Sequence, residues 1–205
     1  MPLDQSHSFC CTVEASFPLH GQHLAAHQGA ALYAALCELE DVGDWVATSD
    51  DIAIAPIAGH ATSAGLSTPD RRLTLRLPAA ELPRVLGLAG RSLEVAGQVL
   101  DLGQPQITLP RPTASLSAEL VVFDDMTGAG DRTATFLARV QRQLTALEIA
   151  GEPVLGANGA LRMAGRAVPG FALTIRGLAP DDSIHLQEAG LGDHRKLGCG
   201  VFAPG

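Results

Sequence analysis

The feature that most restricts the fold of this chain is an order of predicted elements that occurs twice. In the first half, leucines at helical spacing between residues 20 and 39 follow a strand-like run, and the alternation of residues 72–77 is typical of a half-buried strand. Pro78 stands where the first turn of a helix tolerates proline. The predicted elements of this half, in the order strand, helix, strand, strand, helix, strand, are residues 9–17, 20–39, 52–57, 72–77, 78–88 and 93–102.

The second half repeats that order of elements. Its predicted strands and helices are residues 118–123, 131–149, 161–164, 171–175, 180–189 and 199–202. A proline-rich connector, residues 105–112, separates the two halves. We therefore predict an α+β protein made of two tandem ferredoxin-like (βαββαβ) domains packed side by side, namely 1–104 and 116–205, joined by a linker at 105–115.

The composition favours a soluble globular protein of the reducing cytoplasm. With 205 residues, 46% hydrophobic and 18% charged, the chain can bury a core of its own. It has no apolar run of membrane-spanning length and no basic-then-apolar signal pattern, so we expect no contact with a membrane. Its four cysteines, Cys10, Cys11, Cys37 and Cys199, show no C-x-x-C spacing. No nucleotide-cofactor motif is present, and we expect no cofactor.

The charge is distributed unevenly along the chain. The net charge is −8, and no Arg or Lys occurs before Arg71, whereas the rest of the chain is close to neutral. Non-specific coating of DNA requires a strongly basic face, so this class of function is disfavoured. A local basic groove that binds one particular RNA remains compatible with the sequence. We expect the acidic run at 38–51 to be a solvated face and a loop.

Glycines surround the only lysine of the chain near its end. Gly190, Gly192, Gly198 and Gly200 bracket Arg195 and Lys196, and His194 precedes the pair. Successive glycines allow backbone N–H groups to converge on an anion, and the two cations add charge where a phosphate would lie. The alternative is a flexible C-terminal turn. We predict RNA-phosphate contact by residues of this glycine-rich segment (residues 190–200): Gly190, Gly192, His194, Arg195, Lys196 and Gly198.

Three histidines and a tyrosine precede or lie in the first predicted helix. On helical geometry His20, His23 and His27 point away from the leucine stripe, although Gly21 weakens the helical assignment of His20. An exposed polar face, a catalytic edge and a metal site all fit this pattern. A metal site needs carboxylate or thiolate ligands, and none stands nearby in sequence. Tyr33, the only tyrosine, faces neither the histidines nor the leucines.

The long helix of the second half carries arginines on one side. Arg132, Arg139 and Arg142 share a face, opposite the apolar positions of the helix. Such arginines either keep a helix face in solvent or follow the phosphates of an RNA stem. Both interpretations stay open on the sequence alone.

Several motifs resemble those of the CRISPR repeat-processing endoribonucleases, in the short form found with MYXAN-type systems. The resemblance covers nearly the whole chain, and its C-terminal part is the most specific. The motifs of the first half are Phe17-Pro18-Leu19-x-Gly21, Leu32-Tyr33-x-Ala35-Leu36, Ile52-Ala53-Ile54-Ala55-Pro56-Ile57-x-Gly59 and Leu73-x-Leu75-Arg76-Leu77-Pro78. Those of the second half are Ser183-x-x-Leu186-Gln187-x-x-Gly190-Leu191-Gly192 and Leu197-Gly198-Cys199-Gly200-Val201-Phe202-x-Pro204.

The resemblance implies metal-independent cleavage of precursor CRISPR RNA beside a repeat stem-loop. The RNA's 2′-hydroxyl would attack the adjacent phosphate and leave a 2′,3′-cyclic phosphate, which requires a general base, a proton donor and nearby cations. The partners implied are the repeat RNA and subunits of a CRISPR effector complex that serves antiviral defence.

The catalytic histidine of the family is displaced in this chain. Family members place Asp-His-Gly before the Leu-Tyr pair, whereas this chain has His27-Gln28-Gly29. A shift of one residue on a helix rotates a side chain by about 100°. We take His27 as the candidate general base or acid, with His23 and Tyr33 as the further catalytic candidates. Two other functions remain open, a non-catalytic RNA-binding subunit and a metal-dependent hydrolase that uses His20, His23 and His27.

Overall fold

A computed structural model describes residues 11–21, 28–57, 60–62, 65–67, 71–126, 131–163 and 165–205. Its described part holds a six-stranded sheet, a four-stranded sheet and a two-stranded ribbon, all antiparallel. In that part, no helix is long and apolar enough to cross a membrane.

The first domain is built on the six-stranded sheet. Its strand order is β2-β5-β1-β7-β6, and β8 also pairs with β1. Every second residue of β1 is buried, because one face of the sheet packs on the core and the other does not. The strands are β1 (Thr12–His20), β2 (Ala53–Ala55), β3 (His60–Thr62), β4 (Gly65–Ser67), β5 (Arg72–Pro78), β6 (Ser92–Val95), β7 (Gln98–Leu102) and β8 (Gln106–Thr108), of which β3 and β4 form the separate ribbon.

Three helices accompany this sheet. They are α1 (Gly29–Cys37), α2 (Gly43–Thr48) and α3 (Leu82–Leu86), and α3 follows a 3₁₀ turn at Ala79–Glu81. Leu32 and Leu36 of α1 and Val46 of α2 are buried in the same hydrophobic core as the leucines of β5. The burial of this apolar face, more than helix propensity, stabilises such short helices.

The second domain is built on the four-stranded sheet, in the order β10-β11-β9-β12. Phe136, Val140 and Leu144 form the buried stripe of its long helix, and Asp131 caps the start of that helix by accepting from the N–H groups of Thr133 and Ala134. Its elements are β9 (Ser115–Val122), α4 (Arg132–Ala146), β10 (Glu152–Met163), β11 (Arg166–Arg176), α5 (Pro180–Ala189) and β12 (Ala203–Pro204).

The two domains share one topology. Numbered within each domain, the four main strands lie in the order 2-3-1-4 in both sheets, with the β6–β7 hairpin as the fourth strand of the first domain. The prediction of two tandem ferredoxin-like domains is therefore confirmed. The predicted linker contains β8, which pairs with β1 over Glu14 to Ser16.

Several predicted elements differ from the observed ones. Of the helix predicted at 20–39, the described residues show Gly29–Cys37 as helix, whereas His20 ends β1, because the alternating burial of that strand continues to Leu19 and His20 pairs with Asp101. The acidic run at 38–51 contains α2 and two buried valines rather than only a loop. The strand predicted at 199–202 is irregular, and the last strand is Ala203–Pro204.

Two hairpins replace simpler predictions. Residues 93–102 form β6 and β7 rather than one strand, because Ala96 and Gly97 both adopt positive φ, as a tight hairpin turn requires. The short strands predicted at 161–164 and 171–175 belong to one long hairpin, with a register shift between Leu155 and Asn158.

Candidate active site

The start of α1 packs directly on the glycine-rich segment of the second domain. A Cβ atom added to Gly29 would lie 2.0 Å from the carbonyl oxygen of Leu197 and 2.6 Å from its carbonyl carbon. Non-bonded heavy atoms do not approach so closely, so only glycine fits at this position. The two sequence regions that we selected for catalysis and for RNA binding therefore meet at this contact.

A cleft of about 610 Å³ opens beside this contact. Residues of both domains line it, and its walls are largely apolar, with a few polar groups. The lining residues come from the start of α1, the end of β2, the middle of β9, the β10 strand and the glycine-rich segment. They are Gln28, Gly29, Ala30, Leu32, Ala55, Pro56, Ile57, Glu119, Leu120, Ala157, Asn158, Gly159, Ala160, Leu161, Arg162, Leu197, Gly198 and Cys199. Concave sites with few convergent polar groups are typical of ligand-binding sites.

Gln28 presents an unsatisfied polar atom in this cleft. Its side-chain oxygen Oε1 is buried and has no hydrogen-bond partner among the described residues. Buried polar atoms in native proteins are nearly always paired with protein, water or ligand. The side-chain oxygen of Gln28 therefore lacks a partner that a group bound in the cleft could supply.

The glycine-rich segment is a packed structure and not a flexible turn. Leu191, Cys199 and Phe202, within or just after it, are all buried, and Cys199 packs with Val122 of β9 and Leu161 of β10. All four glycines and His194 adopt positive φ. At Gly200 a side chain would also meet the carbonyl oxygen of Leu191 at 1.9 Å.

Most backbone N–H groups of this segment bind protein acceptors. Gly192 donates to Oε1 of Gln143 at 2.8 Å, and Asp193 donates to the carbonyl of Val122 at 2.9 Å. The N–H group of Gly200 donates to the carbonyl of Leu120 at 2.8 Å. These groups stabilise the segment instead of converging on an open anion site, which differs from the arrangement that we expected.

The three basic side chains of the segment also have partners. Arg195 donates from Nη2 to the carbonyl of Glu188 at 2.6 Å, and its Nε is buried with no partner in the described part of the chain. Burial and the nearby charge of Arg76 lower the pKa of Arg195 to about 10. Lys196 donates from Nζ to the carbonyl of Ala47 at 2.8 Å, and Nε2 of His194 lies 2.9 Å from Asp124.

Tyr33 faces a different cavity from Gln28. It lines a pocket of about 400 Å³ together with Asp50, Ile52 and residues 192–197. Burial, a hydrogen bond with Cys37 and the charge of that cysteine raise the pKa of Tyr33. Its hydroxyl is therefore a proton donor at neutral pH rather than a base.

The arginines of α4 are not equivalent. Arg139 forms an ion pair with Asp125, whereas Arg132 and Arg142 are exposed and form no ion pair within the described part of the chain. The structure thus divides the predicted basic face into one paired side chain and two that are open to a ligand.

The structure describes only one of the three candidate histidines. His20 is exposed at the end of β1, and His23 and His27 lie outside the described residues. Among the residues that are described, no three His, Cys, Asp or Glu side chains are close enough to share a metal ion.

Three buried polar residues of the quoted motifs had no role in the sequence analysis. Arg76, Ser183 and Gln187 are each 2% exposed or less. The sequence does show on which face of β5 Arg76 lies. It alternates with the leucines of the strand and therefore occupies the face opposite to them. Its burial depends on the second domain, which sequence periodicity does not report.

Comparison with known proteins identifies the family. A family model described as "Cas6 Crispr" matches residues 13–205. The chain belongs to the Cas6 family. A curated relative, the CRISPR-associated endonuclease Cas6 of Myxococcus xanthus (strain DK1622), is 38% identical over 132 residues. The match covers 64% of this chain and 56% of that relative, so this Cas6-family chain corresponds to only part of the relative's length.

Solved structures share the fold of this Cas6-family chain. A structure of a CRISPR associated protein Cas6 has a TM-score of 0.65 at 11% identity and covers 94% of this chain and 98% of its own. Thermus thermophilus Cse3, bound to an RNA representing a pre-cleavage complex, has a TM-score of 0.58 at 11% identity with the same two coverages. At such low identity the likeness concerns the tandem fold alone.

Proposed function

We propose that this Cas6-family protein is a site-specific endoribonuclease that cleaves precursor CRISPR RNA beside the repeat stem-loop. The observation that carries the proposal is the cleft between the domains, where the start of α1 meets the glycine-rich segment and the side-chain oxygen of Gln28 has no partner among the described residues. Family membership and the likeness to the CRISPR-associated endonuclease Cas6 of M. xanthus support the same reaction class.

The proposed reaction is an attack by the RNA's 2′-hydroxyl on the adjacent phosphate. The hydroxyl proton passes to a general base, the bond to the 5′-oxygen breaks, and that oxygen receives a proton from a general acid. The products are a 2′,3′-cyclic phosphate and a 5′-hydroxyl, and the reaction requires no metal ion.

His27 is the proposed general base or acid. It directly precedes Gln28 in the chain, and the pKa of an unperturbed histidine lies near neutrality, which suits proton transfer. His23 and Tyr33 are the further candidates. Since the pKa of Tyr33 is raised, we assign it donation of a proton rather than removal of one.

The RNA-binding surface is proposed to involve α4 and the glycine-rich segment. Arg132 and Arg142 are the exposed cations of α4 without an ion pair in the described part of the chain, which favours contact with the phosphates of a stem. Lys196 retains two of its three donor hydrogens after its bond to Ala47, so it can contact a phosphate without leaving its position. Arg195 already donates from Nη2 to the carbonyl of Glu188. The cleaved RNA is proposed to stay bound as a guide within an effector complex.

The test is single-turnover cleavage of a repeat hairpin RNA in excess EDTA. We expect the unmodified protein to cut, and His27→Ala to slow cleavage by about 10²–10⁴-fold with little change in RNA affinity. His20→Ala is the matched control, because His20 ends β1 and is exposed. A cyclic phosphate on the upstream product, identified by its mass and by its resistance to phosphatase, checks the chemistry.

The second candidate function is a non-catalytic subunit that holds the guide RNA. The observation that favours it is Gln28, which occupies the position of the family's histidine. Tight binding of the hairpin without cleavage under any condition would establish this function. Cleavage that EDTA abolishes and a divalent metal restores would instead establish a metal-dependent nuclease.

A further inference from the structure

Arg76 is a buried cation that connects the two domains. Its residue exposure is 1%, and it lies on the face of β5 opposite the leucines of the first core. Within the first domain its Nε and Nη2 atoms donate to Oε1 of Glu14, at 3.0 and 2.5 Å. Glu14 lies directly opposite it on β1 in the pairing register.

The other donors of Arg76 reach into the second domain. Nη1 donates to the carbonyl of Gln187 at 2.5 Å, and Nη2 donates to the carbonyl of Phe202 at 2.9 Å. Gln187 lies in the last turn of α5, before the glycine-rich segment, and Phe202 follows the segment. One guanidinium therefore ties both ends of this segment to β5.

Three carbonyl groups at the end of α5 accept hydrogen bonds from outside the regular helix. A helix leaves its last carbonyls without intrahelical donors, and these attract cations. Leu186 accepts from the N–H of Gly190, Gln187 accepts from Arg76 and Glu188 accepts from Arg195. A residue of the first domain thus completes the cap of a helix in the second.

The predicted linker (residues 105–115) also bonds to α5. The side chain of Gln187 donates to the carbonyl of Arg111 at 2.9 Å, and Ser183 Oγ accepts from the N–H of Thr113 at 2.9 Å. With α5 bonded to the linker, the contact with Arg76 sets where the glycine-rich segment lies relative to the first domain.

We propose that Arg76 is a positioning residue that holds the glycine-rich segment against the start of α1. Because Gly29 touches the backbone of Leu197, a displacement of the segment widens the cleft at the proposed catalytic site. The catalytic consequence rests on the proposed function, whereas the positioning itself does not. A misplacement of about 1 Å can reduce a reaction rate about 10²-fold, even when the substrate remains bound.

The chain offers a matched control for this residue. Arg176 ends β11, the strand equivalent to β5, and it is exposed with no ion pair among the described residues. Arg176→Met removes the same side chain from the same strand position without affecting the domain contact.

The first measurement is hydrogen–deuterium exchange of the full chain without RNA. We expect Arg76→Met to increase exchange in peptides that cover residues 188–201, while the β9–β11 core and the Arg176→Met protein exchange as the wild type does. Arg76→Lys keeps the buried charge beside Glu14, so we expect this variant to fold. Because lysine lacks the planar fork of donors, we also expect increased exchange in the glycine-rich segment. A folded Arg76→Met or Arg76→Lys protein with wild-type exchange in the segment overturns the proposal.

The second measurement is single-turnover cleavage at saturating and subsaturating hairpin RNA. We expect Arg76→Lys to lower the maximal rate by about 10²-fold while the RNA concentration for half-maximal rate changes little. An unchanged maximal rate, or an equal loss in Arg176→Met, contradicts the positioning role. If the wild type does not cleave, the proposed function fails, and the exchange measurement still decides the role of Arg76.

Discussion

The two domains have the same topology and carry nearly the same sequence on one strand, yet the arginine of that strand is buried in the first domain and exposed in the second. Leu73-Thr74-Leu75-Arg76 of β5 corresponds to Leu173-Thr174-Ile175-Arg176 of β11. In each domain the threonine bonds a serine on the first strand, Ser16 at 2.8 Å and Ser117 at 2.9 Å. Arg76 is buried under the other domain, whereas Arg176 is in solvent.

The difference comes from what covers the second face of each sheet. A ferredoxin-like sheet packs its helices on one face and leaves the other open. In the first domain α5 and Phe202 cover this open face around Arg76, and in the second domain nothing in the described part of the chain covers Arg176. The arginine of the same local sequence therefore lies at the surface in the second domain and forms part of the domain contact in the first.

The connection to the last strand differs as well. Residues 87–91 form a short turn between α3 and β6, whereas residues 190–202 form the glycine-rich connection between α5 and β12. The first is a simple link within one domain. The second reaches the first domain at Gly29, Ala47 and Arg76, which places the proposed site in the longer connection.

The largest effect is expected where the longer connection meets α1. Gly29→Ala would place a Cβ 2.0 Å from a backbone carbonyl, and backbone has little room to move. We expect a loss of about 3 kcal/mol in the free energy of unfolding, which lowers Tm by about 6–12 °C for a chain of this length. Thermal unfolding followed by circular dichroism measures it.

Gly87→Ala is the control within the shorter connection. Gly87 has a φ of −67° and no atom within 4 Å of an added Cβ, so alanine should be neutral or stabilising by about 0.4–1 kcal/mol. If both variants unfold at the wild-type temperature, the close contact between α1 and the segment is wrong.

The order of elements was predictable because helix and strand periodicities are local properties of the sequence. The errors fall where other forces decide. Ala96-Gly97 is a weak turn signal, so the β6–β7 hairpin appeared as one strand. Gly156, Asn158 and Gly159 lower the strand propensity of β10, which forms because β11 pairs with it along its length.

The site was predictable only in parts. The sequence indicated the glycine-rich segment and the start of α1 separately, but their meeting at Gly29 and Leu197 depends on how the domains pack. The charges of Arg195 and Lys196 indicated RNA, while their bonds to Glu188 and Ala47 are tertiary contacts without a sequence signal.

A smaller effect, on RNA binding, should distinguish the first helix of each domain. α1 has no basic residue, whereas α4 presents Arg132 and Arg142 without ion pairs in the described part of the chain. Replacing both with alanine should weaken hairpin RNA binding and reduce the magnitude of the slope of log K against log salt by about 1.4–1.8, since two phosphate contacts are lost. Titrations at several salt concentrations measure the slope.

Arg139→Ala is the control on the same helix. Arg139 is paired with Asp125, so its removal should change the slope less than the double replacement does. If the double variant weakens an unstructured RNA of equal length as much as the hairpin, these arginines act as general charge and do not follow a stem.

The last comparison concerns two thiols, one in each domain. Cys11 is exposed before β1, whereas Cys199 lies buried in the longer connection, and burial raises its pKa to about 12. Since the thiolate is the reactive form, alkylation of the native protein at pH 8 should be about 10²-fold or more slower at Cys199 than at Cys11. The raised pKa also means that Cys199 stabilises the folded state fully below pH 9 and that this contribution is lost as the pH rises towards 12.

Peptide mapping by mass spectrometry measures both alkylation rates, and urea-unfolded protein, in which the two cysteines should react alike, serves as the control. Equal rates in the native protein would mean that the connection opens to solvent, against the packed state that distinguishes it from the short turn of the first domain.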